Sequence, residues 1–156
     1  MGKKILAAID NSENAMRAVE FIANSLNKDS EVTLFSIMAD ISAICGLHDP
    51  SLSPAFVSGK DYFCALEHEK REQLKEAANK AKELLVDAGF GKDKITKKVQ
   101  AKKKGTARDI ISESESGYDT IVLGRRGLSG IKEFVLGSVS QKVLHSIKGM
   151  TIILVD

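Results

Sequence analysis

The densest run of chemistry-bearing residues in this chain lies between positions 124 and 140. Gly124-Arg125-Arg126-Gly127 is followed, nine residues later, by Gly137-Ser138-Val139-Ser140. Glycines let a backbone approach a ligand with no Cβ in the way. The unpaired N–H groups at a helix start, backed by the positive end of the helix dipole, bind phosphate oxygens. The hydroxyls of Ser138 and Ser140 add further donors, and the loop position favours a phosphate-side role for at least one of Arg125 and Arg126. Asp10, at the end of the first apolar run, suits a ribose hydroxyl. A purely structural reading stands beside this one. Ser138 with Gln141 makes a capping box that needs no ligand, and Gly124, Gly127 and Gly130 can serve as turn residues. Two other nucleotide motifs are missing: there is no G-x-x-x-x-G-K-[ST], and no G-x-G-x-x-G in the first strand–helix turn.

A second grouping is Cys45-x2-His48 with Cys64-x3-His68. On a helix Cys64 and His68 share a face, and Cys/His quartets hold zinc. The spacing matches no established zinc module, however, and cysteine is commonly a small buried hydrophobe. With no export signal, both cysteines are expected to stay thiols in a reducing cytosol. Lys102-Lys103-Lys104 reads as a solvated rim, and His145 as a packed or partly exposed residue of the last helix. Gly127-Leu128-Ser129-Gly130 is not a G-x-S-x-G nucleophile elbow, and no order of Ser, His and Asp marks a triad.

These residues need elements to hold them, and the sequence alternates strands with helices. Ile5–Ile9 is a continuous apolar run, as in a strand buried on both faces of a parallel sheet. Asp10-Asn11-Ser12 then supplies turn and cap chemistry, and Ala15, Val19, Ile22 and Leu26 recur at helical spacing. Val32–Met38 is a second strand. From 39 to 62 periodicity is lost, and Gly46, Pro50, Pro54 and Gly59 predict a long loop, a length that is usually functional. A long amphipathic helix follows, carrying Leu66, Leu74, Ala77, Ala78, Ala81, Leu84, Leu85 and Ala88, and stopped by Gly89 and Gly91. Ile95–Ala101 predicts a third strand, placed at an edge by Lys97. Thr106 with Asp109 predicts a capping box before Ile110 and Ile111. Thr120–Leu123 is a fourth strand. The last helix carries Val139, Val143, Leu144 and Ile147, and Thr151–Val155 closes the chain as a fifth strand. Parallel neighbours need crossovers, so the pattern predicts a doubly wound α/β domain. Such sheets bind ligands beyond the carboxyl ends of their strands, where the order reverses. That rule selects the segments after strands one and four.

The 156-residue chain is one domain long and can build a core without cross-links. Its net charge of +2 is too near neutral for the overall footprint of a nucleic-acid binder. No apolar run approaches the roughly 20 residues of a membrane span, and the short run after Lys3-Lys4 is no signal peptide. A cytoplasmic protein is expected.

The whole chain resembles the universal stress protein family. The likeness rests on Lys3-Lys4-Ile5-Leu6 through Asp10-x-Ser12, on Gly105-Thr106-Ala107, and above all on G-x2-G-x9-G-S from Gly124 to Ser138, the motif of the family's ATP-binding branch. The resemblance implies a single three-layer domain over 1–156, with a five-stranded parallel sheet in order 3-2-1-4-5, helices on both faces, and a variable loop at 39–62. It implies ATP with Mg2+ across the ends of strands one and four. Asp10 would meet the ribose and Ile37 the adenine. Gly124, Arg125, Gly127, Gly137, Ser138, Val139 and Ser140 would line the phosphates. Ala8 and Met150 depart from residues often seen in the family, Met150 standing where proline is frequent, and neither touches the phosphate motif. An apolar final strand left at the sheet edge calls for pairing with its own copy, and the family likeness points to the same homodimer. Three functions follow: a nucleotide-binding regulator of the stress response; a slow nucleotide hydrolase or phosphoryl-transfer enzyme using Asp10 or a loop residue with a divalent metal; or a nucleotide-free dimeric interaction module.

Overall fold

The computed structural model describes residues 2–125 and 136–156. Strands β1 (Lys4–Ala8), β2 (Glu31–Met38), β3 (Ile95–Ala101), β4 (Thr120–Gly124) and β5 (Thr151–Val155) form one sheet in order β3-β2-β1-β4-β5. Every neighbouring pair is parallel: Ile5 lies opposite Val32 on one side and Thr120 on the other, and Thr120 lies opposite Thr151. The order reverses at β1, so the segments that follow β1 and β4 leave toward opposite faces of the sheet and open a crevice there.

The pleat sends alternate side chains to opposite faces. Ile5, Ala7, Ile9, Val32, Leu34 and Val122 point to one side, where they meet Ala18, Val19 and Ile22 of α1 (Glu13–Ser25). Ala78, Ala81 and Leu85 from the C-terminal half of α3 (Pro54–Asp87) complete that core. Leu6, Phe35, Ile121 and Leu123 point the other way, against Ile110 of α4 (Thr106–Ser114) and Val143 of α5 (Ser138–Ser146). Each fully buried Leu, Ile or Val contributes about 1.5–3 kcal/mol to holding these layers together. The predicted three-layer architecture is the observed one. Lys97 does lie on an edge strand, since among the described residues β3 pairs only with β2.

Two helix signals differ from expectation. The loop predicted at 39–62 is shorter: α2 (Ser42–Cys45) forms inside it, and α3 begins at Pro54. Ser53 caps α3 by accepting the Phe56 N–H, and Pro54 stands in the first turn, where its missing N–H costs nothing. The 34-residue helix therefore runs through Gly59, which the sequence pattern reads as a loop residue. None of its residues before Leu74 is buried, and Leu66, assigned by periodicity to the packed face, is exposed. At its far end α3 stops as predicted: Gly89, at φ +104°, donates to Val86 O and Phe90 donates to Leu85 O. Only glycine takes that φ without strain.

The cysteines differ as well. Cys45 and Cys64 are joined in a disulfide, with Cα atoms 5.9 Å apart, rather than standing as free thiols. Their sulfurs bond to each other, so the Cys/His quartet is not assembled as a zinc site. Among the described residues no group of three or more His, Cys, Asp or Glu is placed to hold a metal.

Candidate functional site

Beyond the carboxyl ends of β1, β2 and β4 lies a cleft of about 360 Å³. Its base is apolar, formed by Ala8, Phe35, Ile37 and Leu123. Three helix N-termini converge on it and contribute Ser12 from α1, Thr106 from α4, and Gly137 through Ser140 from α5. Of the sequence-derived site residues, Asp10, Ile37, Gly124, Gly137, Ser138, Val139 and Ser140 are brought together here.

The three helix starts are finished differently. Ser12 caps α1, its Oγ accepting the Ala15 N–H at 3.1 Å, and Glu13 adds an acid to the first turn. At α4 the predicted Thr106–Asp109 capping box does not form, and Gly105 is the N-cap. Asp109 turns back instead and accepts the Lys103 and Lys104 N–H groups at 2.8 and 3.0 Å. The Lys103 N–H is the main reason its carboxyl lies below the usual aspartate range. Burial opposes the shift, and the Lys104 and Gly105 N–H groups and the Lys103 charge assist it. The positive end of α4 thus already meets an internal carboxylate.

At α5 nothing comparable is present among the described residues. Gly137 is the N-cap and no side chain caps the helix; there is no acid in the first turn. The predicted Ser138–Gln141 capping box is absent, because Ser138 lies inside the helix. Gly137 donates its own N–H to Arg125 O at 2.8 Å, and Gln141 donates to Gly137 O. The N–H groups of Ser138, Val139 and Ser140 are first-turn donors that an α-helix leaves without internal partners.

Other assignments take a different form. Ser140 is buried and its hydroxyl donates to Gly124 O at 2.7 Å, so it ties α5 to β4 rather than offering that proton to a ligand. A Cβ on Gly124 would lie 2.9–3.0 Å from Cβ, C and O of Asn14, so this glycine admits the first turn of α1 against β4. Arg125 pairs with Asp156 at 2.8 Å and is not among the lining residues. Arg126, Gly127 and Gly130 lie outside the described residues. Asp10 accepts the Ser12 N–H on Oδ1 at 2.9 Å, which orients the carboxylate and leaves Oδ2 for another donor.

Sequence reasoning missed Thr106 as a lining residue, although it follows the end of β3 where ligand-facing loops occur. It also missed a second cleft of about 460 Å³ that meets the first at Asp10 and Ile37. Met38 and Ala39 wall that cleft on one side and Glu67, Arg71 and Leu74 of α3 on the other, with Lys102 at its rim. Glu67 and Arg71 precede Leu74, the first buried residue of α3, so no packed face singles them out in the sequence. Lys102, read from the sequence as solvated rim, is part of this wall.

Comparison with known proteins agrees with this architecture. The family model described as "Universal stress protein family" matches residues 1–154. The chain is 32% identical over 145 residues to Universal stress protein YxiE of Bacillus subtilis (strain 168), covering 92% of each. Among solved structures it resembles the hypothetical protein MJ0577 at 25% identity and a TM-score of 0.70, over 99% of this chain and 96% of that one. It shares its fold with a universal stress protein solved in complex with cAMP, at 16% identity and a TM-score of 0.60, over 99% and 96% of the two chains. The chain belongs to the universal stress protein family.

Proposed function

We propose that this protein is an ATP-binding regulator of the stress response, of the family's nucleotide-binding branch, and that the cleft beside β1 and β4 holds ATP with Mg2+. The observation that carries the reading is the first turn of α5, which opens into the cleft with neither a side-chain cap nor a first-turn acid among the described residues. Three N–H donors at the positive end of a helix dipole suit phosphate oxygens. Asp10 stands in the same cleft with Oδ1 on the Ser12 N–H and Oδ2 without a partner among the described residues, as a ribose hydroxyl requires. Ile37 and Phe35 offer the apolar surface on which a base would lie. Gly127 belongs to the proposed phosphate motif through the sequence pattern.

Calorimetric titration of Mg-ATP into protein stripped of nucleotide tests this, with AMP as the comparison. Saturable binding near one ATP per chain, weaker for AMP, is the expected outcome. Absence of binding to folded, empty protein would remove the reading. Incubating the complex and measuring ADP separates a regulator, which turns over slowly or not at all, from a hydrolase.

We also propose a cytoplasmic homodimer through β5. Among the described residues this strand pairs only with β4, and Ile152–Val155 are half-buried at the sheet edge. Burial against a second copy would protect that edge. Sedimentation equilibrium at micromolar concentration should give twice the chain mass, and a monomer there would overturn the proposal. No helix among the described residues is long and apolar enough to cross a membrane.

A further inference from the structure

We propose that Cys45 and Cys64 are a reversible thiol–disulfide site, a latch that fixes the 39–53 excursion on α3 and sets the opening of the second cleft. Its support is the geometry of residues 39–74, whether or not a nucleotide binds. Both cysteines are half-buried, with exposed neighbours on either side, so a small reductant can reach the bond.

Little else holds the excursion in place. Its α2 helix has no buried residue, and α3 has none before Leu74, so no apolar core joins the two. The excursion is braced mainly by local turns. Asp40 accepts from the Ser42 N–H and hydroxyl, Asp49 accepts from the same groups of Ser51, and Ser53 caps α3. Across to α3 itself, Lys60 donates to Leu47 O at 2.9 Å, and the Arg71 charge acts on the Asp40 carboxylate. The covalent bond is therefore the strongest tie between the excursion and the helix. The residues on either side of it are apolar and exposed, including Ile44, Leu47 and Phe63, and such contacts resist opening weakly.

The position of the bond gives it leverage. Cys64, Glu67, Arg71 and Leu74 follow at intervals of three, four and three, so they lie on one face of α3. Glu67, Arg71 and Leu74 wall the second cleft, opposite Met38 and Ala39, which lead directly into the excursion. The disulfide thus sits about one helical turn beyond the wall. Arg71 is only partly exposed, and its Nε is buried without a hydrogen-bond partner among the described residues. With the latch closed, the excursion stays seated beside this wall. With the latch open, residues 42–52 can swing about Ile41, which is buried, and Ser53.

The chemistry is a two-electron exchange with a dithiol. A reductant thiolate attacks one sulfur, giving a mixed disulfide and one protein thiolate. The second reductant thiol then displaces the remaining protein sulfur. The protein gains two electrons and two protons as two thiols, and the dithiol leaves as its own disulfide. In a reducing compartment the latch stands open, and it closes under oxidative conditions.

The test compares the full chain oxidised with oxidised glutathione and reduced with dithiothreitol. Alkylation and intact mass count the free thiols, hydrogen exchange reports on the excursion, and phenylglyoxal labelling reports on Arg71. On reduction two thiols should become alkylatable, exchange across 42–52 should rise at least about tenfold, and Arg71 should label several-fold faster. Exchange at Ile5–Ile9 and Thr120–Leu123 should stay constant. The Cys45→Ser/Cys64→Ser double variant should behave like the reduced protein under both conditions. Two thiols still free after oxidation, or exchange at 42–52 or labelling of Arg71 unchanged by reduction, would overturn the proposal.

Discussion

The starts of α1 and α5 flank the same cleft, one following β1 and the other following β4. They are built on opposite plans. Ser12 closes α1 on its own Ala15 N–H, and Glu13 supplies the acid that its dipole favours. Among the described residues, α5 starts on a glycine with no side-chain cap and no acid in its first turn. The first is complete by local chemistry, and the second leaves its donors facing a cavity. A chain that satisfies one helix end and leaves its neighbour open has set aside local stability at that point, which is where binding sites are found.

The largest effect should come from giving α5 what α1 and α4 already have. Ser138→Asp places a carboxylate in the first turn, where it favours the helix by about 0.3–1 kcal/mol. The same charge repels phosphate. Thermal melting should therefore show unchanged or slightly raised stability while calorimetry shows ATP affinity reduced by about tenfold or more, the equivalent of about 1.4 kcal/mol. A variant that binds ATP as the parent does would show that the open helix start is not the phosphate site.

Gly124→Ala separates the two helix starts at their shared support. The added Cβ would press on Asn14 backbone atoms at about 3.0 Å, and these are not the far end of a flexible side chain. Overpacking of this kind costs about 1–3 kcal/mol, to be read from chemical denaturation. Full stability in the variant would mean that α1 can shift away from β4 at no cost.

A smaller effect, read from the acid limb of the stability–pH curve, concerns α4. Asp109 has its folded pKa lowered, chiefly by the Lys103 N–H. Its contribution is present above the ordinary aspartate pKa and is lost as pH falls through the lower folded value. Asp109→Asn should therefore flatten the acid limb of the stability–pH curve below about pH 4. A limb identical to that of the parent would assign acid sensitivity to other carboxylates.

Most of the fold was legible because the strands announce themselves. The apolar runs Ile5–Ile9 and Thr120–Leu123 have no helical period and are bounded by turn residues, and both are central strands. The cleft lining was legible at Asp10 and Gly137–Ser140 because they lie where the strand order reverses, and at Ile37 through the family resemblance alone. What was not legible depends on tertiary context. The capping boxes at Thr106 and Ser138 are correct as local patterns, but each helix starts one residue earlier than the pattern requires, so the hydroxyl enters the helix instead of preceding it. Gly59 and the scattered aromatics of 54–66 hid the first turns of α3, because a helix without a buried face carries no hydrophobic period. The pairing of Cys45 with Cys64 depends on that helix, which brings two residues 19 apart in sequence to disulfide distance.

The smallest expected effect at neutral pH is also the sharpest test of the comparison. Ser12→Ala removes the α1 cap, leaving the Ala15 N–H without its acceptor at a cost of about 1 kcal/mol. Ser12 lines the cleft, so a ligand role and a capping role make different forecasts. If its oxygen serves α1, denaturation should show the loss in stability while ATP affinity changes by less than about threefold, under 0.7 kcal/mol. If the hydroxyl instead meets the nucleotide, affinity should fall by more than the stability loss can explain. The two helix starts would then both be ligand-facing, and the division of labour between them would not hold.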